Sequence, residues 1–122
     1  MEWLLLMLAG GAGAVSRYGV GRVFPFTGTE FPFATVLCNL SGSLVLALIV
    51  GRFAHSHPQV VLILGTGFLG AWTTYSTFSL EMIRLLEAGD WVKAGLYVAT
   101  TLIGGAVLSA LGWWIGLQLR AA

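Results

Sequence analysis

The chain is organised as four long apolar stretches separated by shorter polar or turn-forming segments. A helix needs about 20 apolar residues, at about 1.5 Å each, to cross a hydrocarbon core of about 30 Å. Stretches of that length occupy residues 3–21, 33–53, 59–86 and 91–118. The connecting segments are too short to form a separate module. The pattern therefore predicts an all-α membrane protein, with a single four-helix transmembrane domain spanning residues 1–122.

Composition agrees with a bilayer as the solvent of this protein. Hydrophobic residues make up 57% of the chain and charged residues only 9%, against about 25% in a soluble domain. The formal net charge of +1 lacks the basic excess that nucleic-acid binding requires, so no nucleic-acid partner is expected. The single cysteine, Cys38, excludes an internal disulfide. His55 and His57 lie in a short turn without a nearby cysteine or carboxylate, so we expect no metal site there.

The distribution of basic residues does not favour one orientation of the chain in the membrane over the other. Basic residues near span ends normally stay on the cytoplasmic side. Here Arg52 and Arg120 fall on one side, and Arg22, Arg84 and Lys93 fall on the other. Such a balanced chain can insert both ways round, and two inverted copies could then pair about an axis in the membrane plane. We treat this antiparallel dual-topology homodimer as a hypothesis.

The third apolar stretch differs from the other three. It is longer than a straight crossing requires, and glycines at 65, 67 and 70 precede a run of hydroxyl residues at 73–79. The pattern predicts a helix broken at its centre. Non-helical backbone at this depth is tolerated only inside protein or beside a polar cavity, and its free carbonyls commonly coordinate a cation. The alternative is an intact helix in which hydroxyls bond to backbone carbonyls and glycines permit close packing.

Other polar residues also lie inside the predicted spans. Thr35 and Asn39 are four residues apart and so share a helix face, and an amide is costly to bury in apolar surroundings. Tyr97 and Thr101 form a similar pair, although Tyr97 could equally be an anchor at the membrane interface. A polar pathway or a polar helix interface accounts for such positions better than exposure to lipid.

Two charged residues are candidates for roles within the membrane. Arg17 could extend to the interface, or it could line a positive vestibule that attracts an anion. Glu81 is expected to be structural, accepting hydrogen bonds from nearby hydroxyls. Catalytic triads, phosphate loops and paired membrane carboxylates are missing from the sequence, so no enzymatic activity is expected. Hydroxyls, the Asn39 amide and the ring edges of Tyr75 and Phe78 would suit a small anion.

Three motifs together resemble the bacterial fluoride channel family, known as Fluc or CrcB. Residues 67–78 read GFLGAWTTYSTF and are similar to the family signature GFxGGxTTFSTF, and residues 13–18 read GAVSRY, similar to its GAxxRY. Thr35, Asn39 and Gly42 are similar to its second-span motif TxxxNxxG. The resemblance covers essentially the full length of the chain.

The resemblance implies an antiparallel homodimer in the bacterial inner membrane that exports fluoride passively through two pores. It also implies a structural sodium ion at the dimer centre, held by the backbone carbonyls of Gly70 and Thr73. Arg17 would lie near the aqueous entrance and Glu81 would support the pore. The residues implied along the fluoride pathway are Thr35, Asn39, Tyr75, Ser76, Thr77, Phe78, Tyr97 and Thr101.

Two residues depart from the family pattern, and two other functions remain open. Tyr75 stands where the signature has phenylalanine and Ala71 where it has glycine, which bears on conduction rate more than on function. A small dual-topology multidrug exporter would need an acidic residue deep in the first span, where this chain has Arg17. A non-transporting scaffold subunit would have no need of a broken helix.

Overall fold

The computed structural model describes residues 1–121, and within them four helical spans are long and apolar enough to cross a membrane. These spans are Glu2–Val23 (α1), Phe33–Phe53 (α2), Pro58–Glu87 and Trp91–Ala121 (α5). The predicted all-α architecture is therefore confirmed. The bounds of α2 are as expected, and the other spans extend one to three residues further at their ends.

The third span consists of two helices joined by an extended dipeptide. Its first half, α3, covers residues 58–72, and its second half, α4, covers Tyr75–Glu87. Between them Thr73 (φ −82°, ψ 155°) and Thr74 (φ −154°, ψ 114°) are extended. The Thr73 N–H makes the last helical bond, to the Leu69 carbonyl at 3.0 Å, and the Thr74 N–H no longer bonds to the helix. The predicted break of the third helix near its centre is confirmed.

The glycines of the third span lie before the break, in a different structure from the one expected. Most of α3, Val61–Leu69, is a π-helix, whose wider turn is rare and usually short. Gly65 and Gly67 are buried within it. Gly67 lies against Ala9 of α1, and Gly65 lies against Leu46 of α2. On the α1 side, a side chain at Gly13 would overlap the carbonyl oxygen of Phe68. The glycines thus serve helix contact, and the hydroxyl residues that follow form the break.

Two regular helices, α2 and α5, form the other closely packed pair. A side chain at Gly112 would overlap the carbonyl oxygen of Leu44, and one at Gly116 would overlap that of Leu48. Small residues that let backbones approach in this way are the usual basis of helix association in membranes, where van der Waals packing replaces the hydrophobic effect.

The main buried cluster lies where α4 crosses α5. Phe78 and Leu85 of α4 pack there against Ala94 and Tyr97 of α5, and the segment after α1 adds Phe31 at the edge. Much of the remaining surface is apolar and exposed, including indole rings near the span ends, as expected for a protein that faces lipid. These exposed tryptophans are Trp3, Trp91, Trp113 and Trp114.

Candidate functional site

The backbone of Thr74, released from helical bonding by the break, is paired with the side chain of Asn39. The Thr74 N–H donates to Asn39 Oδ1 at 2.7 Å, and Asn39 Nδ2 donates to the Thr74 carbonyl at 3.1 Å. Leaving a backbone group unpaired in an apolar medium would cost on the order of several kcal/mol. One amide side chain from α2 therefore stabilises the break in the third span.

Hydroxyl groups satisfy the helix ends on either side of the break. Thr73 Oγ1 donates to the Leu69 carbonyl at 3.0 Å, in addition to the Thr73 N–H, at the end of α3. Thr74 is the N-cap of α4: its Oγ1 accepts from the Thr77 N–H at 3.2 Å and donates to Thr77 Oγ1 at 2.9 Å. A threonine N-cap satisfies one of the free N–H groups of a helix start. The hydroxyl run is what allows the chain to break here.

Arg17 of α1 reaches the same region from the opposite side. Its Nε donates to the Ala71 carbonyl at 2.9 Å, at the C-terminal end of α3. A cation is favoured there, because helix C-termini carry partial negative charge and free carbonyls. Since Nε alone is used, the remaining N–H groups of the guanidinium are left for other partners.

The guanidinium lies in the first of two clefts that flank the break. This cleft, which we call the arginine cleft, has a volume of about 400 Å³. Its polar or charged lining comes from α1, α2 and the third span: Arg17, Tyr18, Arg22, Thr35, Thr74, Thr77 and Glu81. Phe24 and Phe26, from the segment after α1, and Cys38 add apolar surface. The arginine cleft is thus wide and mixed in charge, with basic residues from α1 and one carboxyl group from α4.

The second cleft, the asparagine cleft, lies on the other side of the break and has a volume of about 290 Å³. Its lining residues are Asn39, Gly42, Ser43, Leu46, Thr73, Thr74, Tyr75, Phe78, Thr101 and Leu102. Among the residues described, the buried hydroxyl oxygen of Thr101 has no hydrogen-bond partner. Buried polar atoms are normally paired, so this hydroxyl is available to a ligand in the cleft.

Aromatic rings connect the asparagine cleft to the core. The Phe78 and Tyr97 rings meet nearly edge to face, with centroids 5.0 Å apart and an interplanar angle of 63°. The Tyr75 and Phe78 ring centroids are 5.8 Å apart. Phe78 is 5% exposed, whereas Tyr75 is 76% exposed on the surface of the chain. Aromatic edges carry positive partial charge, so these rings can face an anion.

Beneath the rings, Glu81 accepts a hydrogen bond of 2.6 Å from the hydroxyl of Tyr97. Both residues are buried, Tyr97 completely. The interpretation of Tyr97 as an interfacial anchor is therefore wrong, because its hydroxyl contacts Glu81 inside the bundle. A buried carboxyl group needs such a partner.

The structure divides the sequence-predicted residues between the two clefts. Asn39, Thr73, Tyr75, Phe78 and Thr101 line the asparagine cleft, whereas Thr35 and Thr77 join Arg17 and Glu81 in the arginine cleft. Thr35 and Asn39 thus lie on opposite sides of the break, although their spacing placed them on one helix face.

Ser76, Tyr97 and Gly70 lie outside both clefts, and several lining residues were not predicted. Ser76 is exposed, with its Oγ 3.4 Å from Thr74 Oγ1, and Gly70 is exposed on the chain surface. Ser43 lines the asparagine cleft but did not attract attention in the sequence. Its position one helical turn after Asn39 was the available signal. Groups of three histidine, cysteine or acidic residues suited to a metal are absent from the described part of the chain.

Comparison with known proteins identifies relatives over most of the chain. The family model described as CrcB-like protein, Camphor Resistance (CrcB), matches residues 4–113. A Bacillus cereus protein named fluoride-specific ion channel FluC 1 is 38% identical over 118 residues, covering 93% of this chain and 86% of the relative. A Shewanella protein (strain ANA-3) named fluoride-specific ion channel FluC is 43% identical over 105 residues, covering 81% and 82% respectively.

Proposed function

The chain belongs to the CrcB family, and on this premise we propose that it is a multi-pass membrane channel that conducts fluoride passively. Relatives that carry the name fluoride-specific ion channel align with most of its length. It is a channel and not an enzyme. The observation that carries the proposal in the structure is the asparagine cleft, where an amide, the unpartnered Thr101 hydroxyl and aromatic edges surround the break of the third span.

The asparagine cleft provides hydrogen-bond donors for a small anion. An amide NH₂ group has two donor hydrogens, and Asn39 uses one of them on the Thr74 carbonyl. The second hydrogen and the unpartnered hydroxyl of Thr101 remain for the ion. Fluoride loses a tightly held water shell when it enters the channel, so closely placed donors are needed to replace those waters. The edges of Phe78 and Tyr75 supplement the donors without binding the ion too tightly to leave.

The arginine cleft is proposed as the aqueous entrance. Arg17 attracts anions, while its bond to the Ala71 carbonyl fixes it in place. Glu81 would repel an anion if its charge faced the path, but its hydrogen bond with Tyr97 directs one oxygen into the core. Thr35 and Thr77 add hydroxyl groups to this cleft.

The proposed working unit is an antiparallel homodimer. The asparagine cleft is open on the surface of one chain, and Tyr75 beside it is 76% exposed. Lipid does not hydrogen-bond to polar groups at mid-membrane depth, so a second copy is the favoured cover. The balanced distribution of basic residues allows that copy to be inverted.

A structural sodium ion at the dimer centre is also proposed. The extended backbone at Thr73 removes its carbonyl from the helical ladder, and backbone oxygens at such breaks are suitable sodium ligands. Gly70, one turn earlier, would contribute its carbonyl from the exposed surface of α3. Bound there, sodium would hold the two copies together because carbonyl oxygens from both would coordinate it. The residues present fit this role.

The proposed physiological direction is export across the bacterial inner membrane. A passive channel follows the electrochemical gradient, and an inside-negative potential favours outward movement of an anion by about 2.3 kcal/mol per 100 mV. The channel itself needs no coupling residue for this.

Efflux from proteoliposomes tests the proposal. Vesicles that contain the purified protein are loaded with the potassium salt of fluoride or chloride. A potassium ionophore is added to balance the charge, and the released anion is measured with an ion-selective electrode. We expect rapid fluoride release and chloride release no faster than from protein-free vesicles. Equal release of both anions, or no release from correctly folded dimer, would contradict the proposal. Replacing sodium by a large organic cation should reduce the flux if the proposed sodium site is right.

Dual topology needs a separate measurement. A protease-cleavable tag after the C-terminus is expected to be cut in about half of the molecules when protease is added outside sealed bacterial membrane vesicles. Complete cutting or complete protection would contradict the inverted pair while leaving fluoride conduction as a separate question.

A further inference from the structure

The two ends of the helical bundle differ in charge. At the end formed by the α1–α2 and α4–α5 connections, basic and acidic residues balance: Arg22, Arg84 and Lys93 against Glu30, Glu87 and Asp90. At the opposite end, Arg52, His55, His57 and Arg120 are accompanied, among residues 1–121, by the carboxylate of Glu2 at the start of α1. The second end therefore has a basic excess, located where α2 and α5 finish.

Helix packing brings part of this excess into one cluster. The backbone of Arg52 lies directly against Gly116, and Arg120 follows Gly116 by one helical turn on the same face of α5. Arg120 Nη1 is 3.1 Å from His55 Nδ1 across the two helices. Arg52, His55 and Arg120 thus converge at the rim of the α2–α5 pair; we call them the basic rim.

The basic rim has polar groups left over and apolar surface beside it. A guanidinium has five N–H donors, and the contact with His55 accounts for one of those on Arg120. The Arg52 guanidinium lies 5.0 Å from the centre of the Phe53 ring, which holds it over apolar surface. Leu119, beside Arg120, is 49% exposed. Positive charge next to exposed apolar side chains, at the end of membrane spans, matches the two chemical parts of a lipid.

We propose that the basic rim binds the phosphate of an anionic phospholipid headgroup, with the acyl chains against the outer face of α2 and α5. Guanidinium groups bind phosphate oxygens with paired hydrogen bonds, and basic pockets between membrane helices favour anionic lipids. This site is separate from both clefts. Lipid binding at the basic rim and fluoride conduction are therefore independent proposals. Inorganic phosphate shares the recognised group and is the competing occupant.

Thermal unfolding of the purified protein in a neutral detergent tests the proposal. Phosphatidylglycerol, phosphatidylcholine and inorganic phosphate are titrated separately, and the unfolding midpoint is followed by tryptophan fluorescence. We expect phosphatidylglycerol to raise the midpoint more than the other two. Arg52→Gln and Arg120→Gln should each weaken the apparent affinity about fivefold, which is the contribution of one arginine near an anionic surface. Arg84→Gln removes the same charge at the balanced end and should leave the affinity unchanged.

Three outcomes would overturn the lipid site. Phosphatidylcholine could stabilise the protein as well as phosphatidylglycerol, Arg84→Gln could weaken binding as much as the rim variants, or inorganic phosphate alone could reproduce the whole shift. If a rim variant does not fold, native mass spectrometry of the unmodified protein tests the same lipid preference. Retention of phosphatidylglycerol over phosphatidylcholine at equal concentrations supports the site, and equal retention overturns it.

Discussion

The α2–α5 pair and the third span show two different ways of building a membrane interior. The helices of the pair are unbroken, so each one satisfies its own backbone hydrogen bonds. Their backbones approach each other closely at glycines. In the third span the backbone leaves the helix at Thr73 and Thr74, and its groups are satisfied by side chains, including that of Asn39. The pair depends on shape, whereas the break depends on specific polar contacts.

This difference determines where an ion can be bound. A regular helix has no backbone group to spare in its middle, because each N–H and carbonyl is already used. A break releases such groups and must supply partners for them, and the polar side chains brought in for that purpose also line the two clefts. Here Asn39 does both: it bonds to the Thr74 backbone and faces the asparagine cleft.

The largest effect on stability is expected in the regular pair. In Gly112→Ala the new methyl group would overlap the Leu44 carbonyl oxygen, which belongs to rigid backbone. We expect the free energy of unfolding to fall by about 3 kcal/mol, as for overpacked cores. Titration with sodium dodecyl sulfate in mixed micelles measures this change.

Gly95→Ala is the matched control for this prediction, because Gly95 lies on the same helix with open space around it. Alanine is favoured over glycine in helices by about 1 kcal/mol, so this variant should be as stable as the unmodified protein or more so. Equal destabilisation by the two substitutions would show that close approach of α2 and α5 is unimportant.

The next largest effect is expected at the break. Asn39→Asp keeps an acceptor for the Thr74 N–H but places a second acceptor against the Thr74 carbonyl. We expect the free energy of unfolding to fall by about 2 kcal/mol, and fluoride efflux to be abolished by the fixed negative charge. Ser79→Ala, which removes a hydroxyl bonded to the Tyr75 carbonyl, is the control and should conduct. Unchanged efflux in Asn39→Asp would remove Asn39 from the pathway.

A smaller effect is expected where the third span meets α5. Tyr97→Phe retains the ring against Phe78 but leaves Glu81 without its hydroxyl donor. The expected loss of stability is about 1.5 kcal/mol, since the bond involves a carboxyl group. Tyr75→Phe makes the same chemical change at a hydroxyl that bonds to no group among the described residues of the chain, and should change stability by less than about 0.5 kcal/mol. Similar losses in both variants, measured by the same unfolding titration, would contradict a specific role for the Glu81 contact.

The smallest effect is expected outside both regions, in the connection after α1. Hydrogen bonds from the side chain and backbone N–H of Thr27 lower the pKa of Glu30 from 4.5 to about 2. Because the folded-state pKa is depressed, the stabilisation is present above pH 4.5 and is lost as pH falls towards 2. Thr27→Val should raise the pKa of Glu30 and weaken this acid dependence, as measured by NMR titration of its carboxyl carbon.

Thr29→Val serves as the control for this connection, because the Thr29 backbone carbonyl that accepts from Lys93 is retained. Its Glu30 pKa should stay close to 2. An unchanged Glu30 pKa in Thr27→Val would show that other groups hold the carboxylate. Neither variant should alter the packing of the spans, since Glu30 is fully exposed to solvent.

Much of the architecture could be predicted from the sequence, because span length and apolar composition are local properties. The hydroxyl run also predicted the interruption of the third span, since threonine and serine side chains can replace helical hydrogen bonds. The glycines were expected just before the hydroxyl run, and Gly65 and Gly67 lie there, within a π-helix that the sequence did not predict. Their effect depends on the approach of α1 at Ala9 and of α2 at Leu46, which is not encoded within the third span.

The sequence by itself determined that this protein has four spans, that the third is interrupted, and that donors for a small anion accompany the interruption. The tertiary structure decided that Asn39 pairs with Thr74, 35 residues away, that Thr35 faces a different cleft, and that Tyr97 bonds to Glu81. The physical reason is the reach of each interaction. Hydropathy and helix propensity act within a few residues, whereas the partner of a released backbone group is chosen by how whole helices pack.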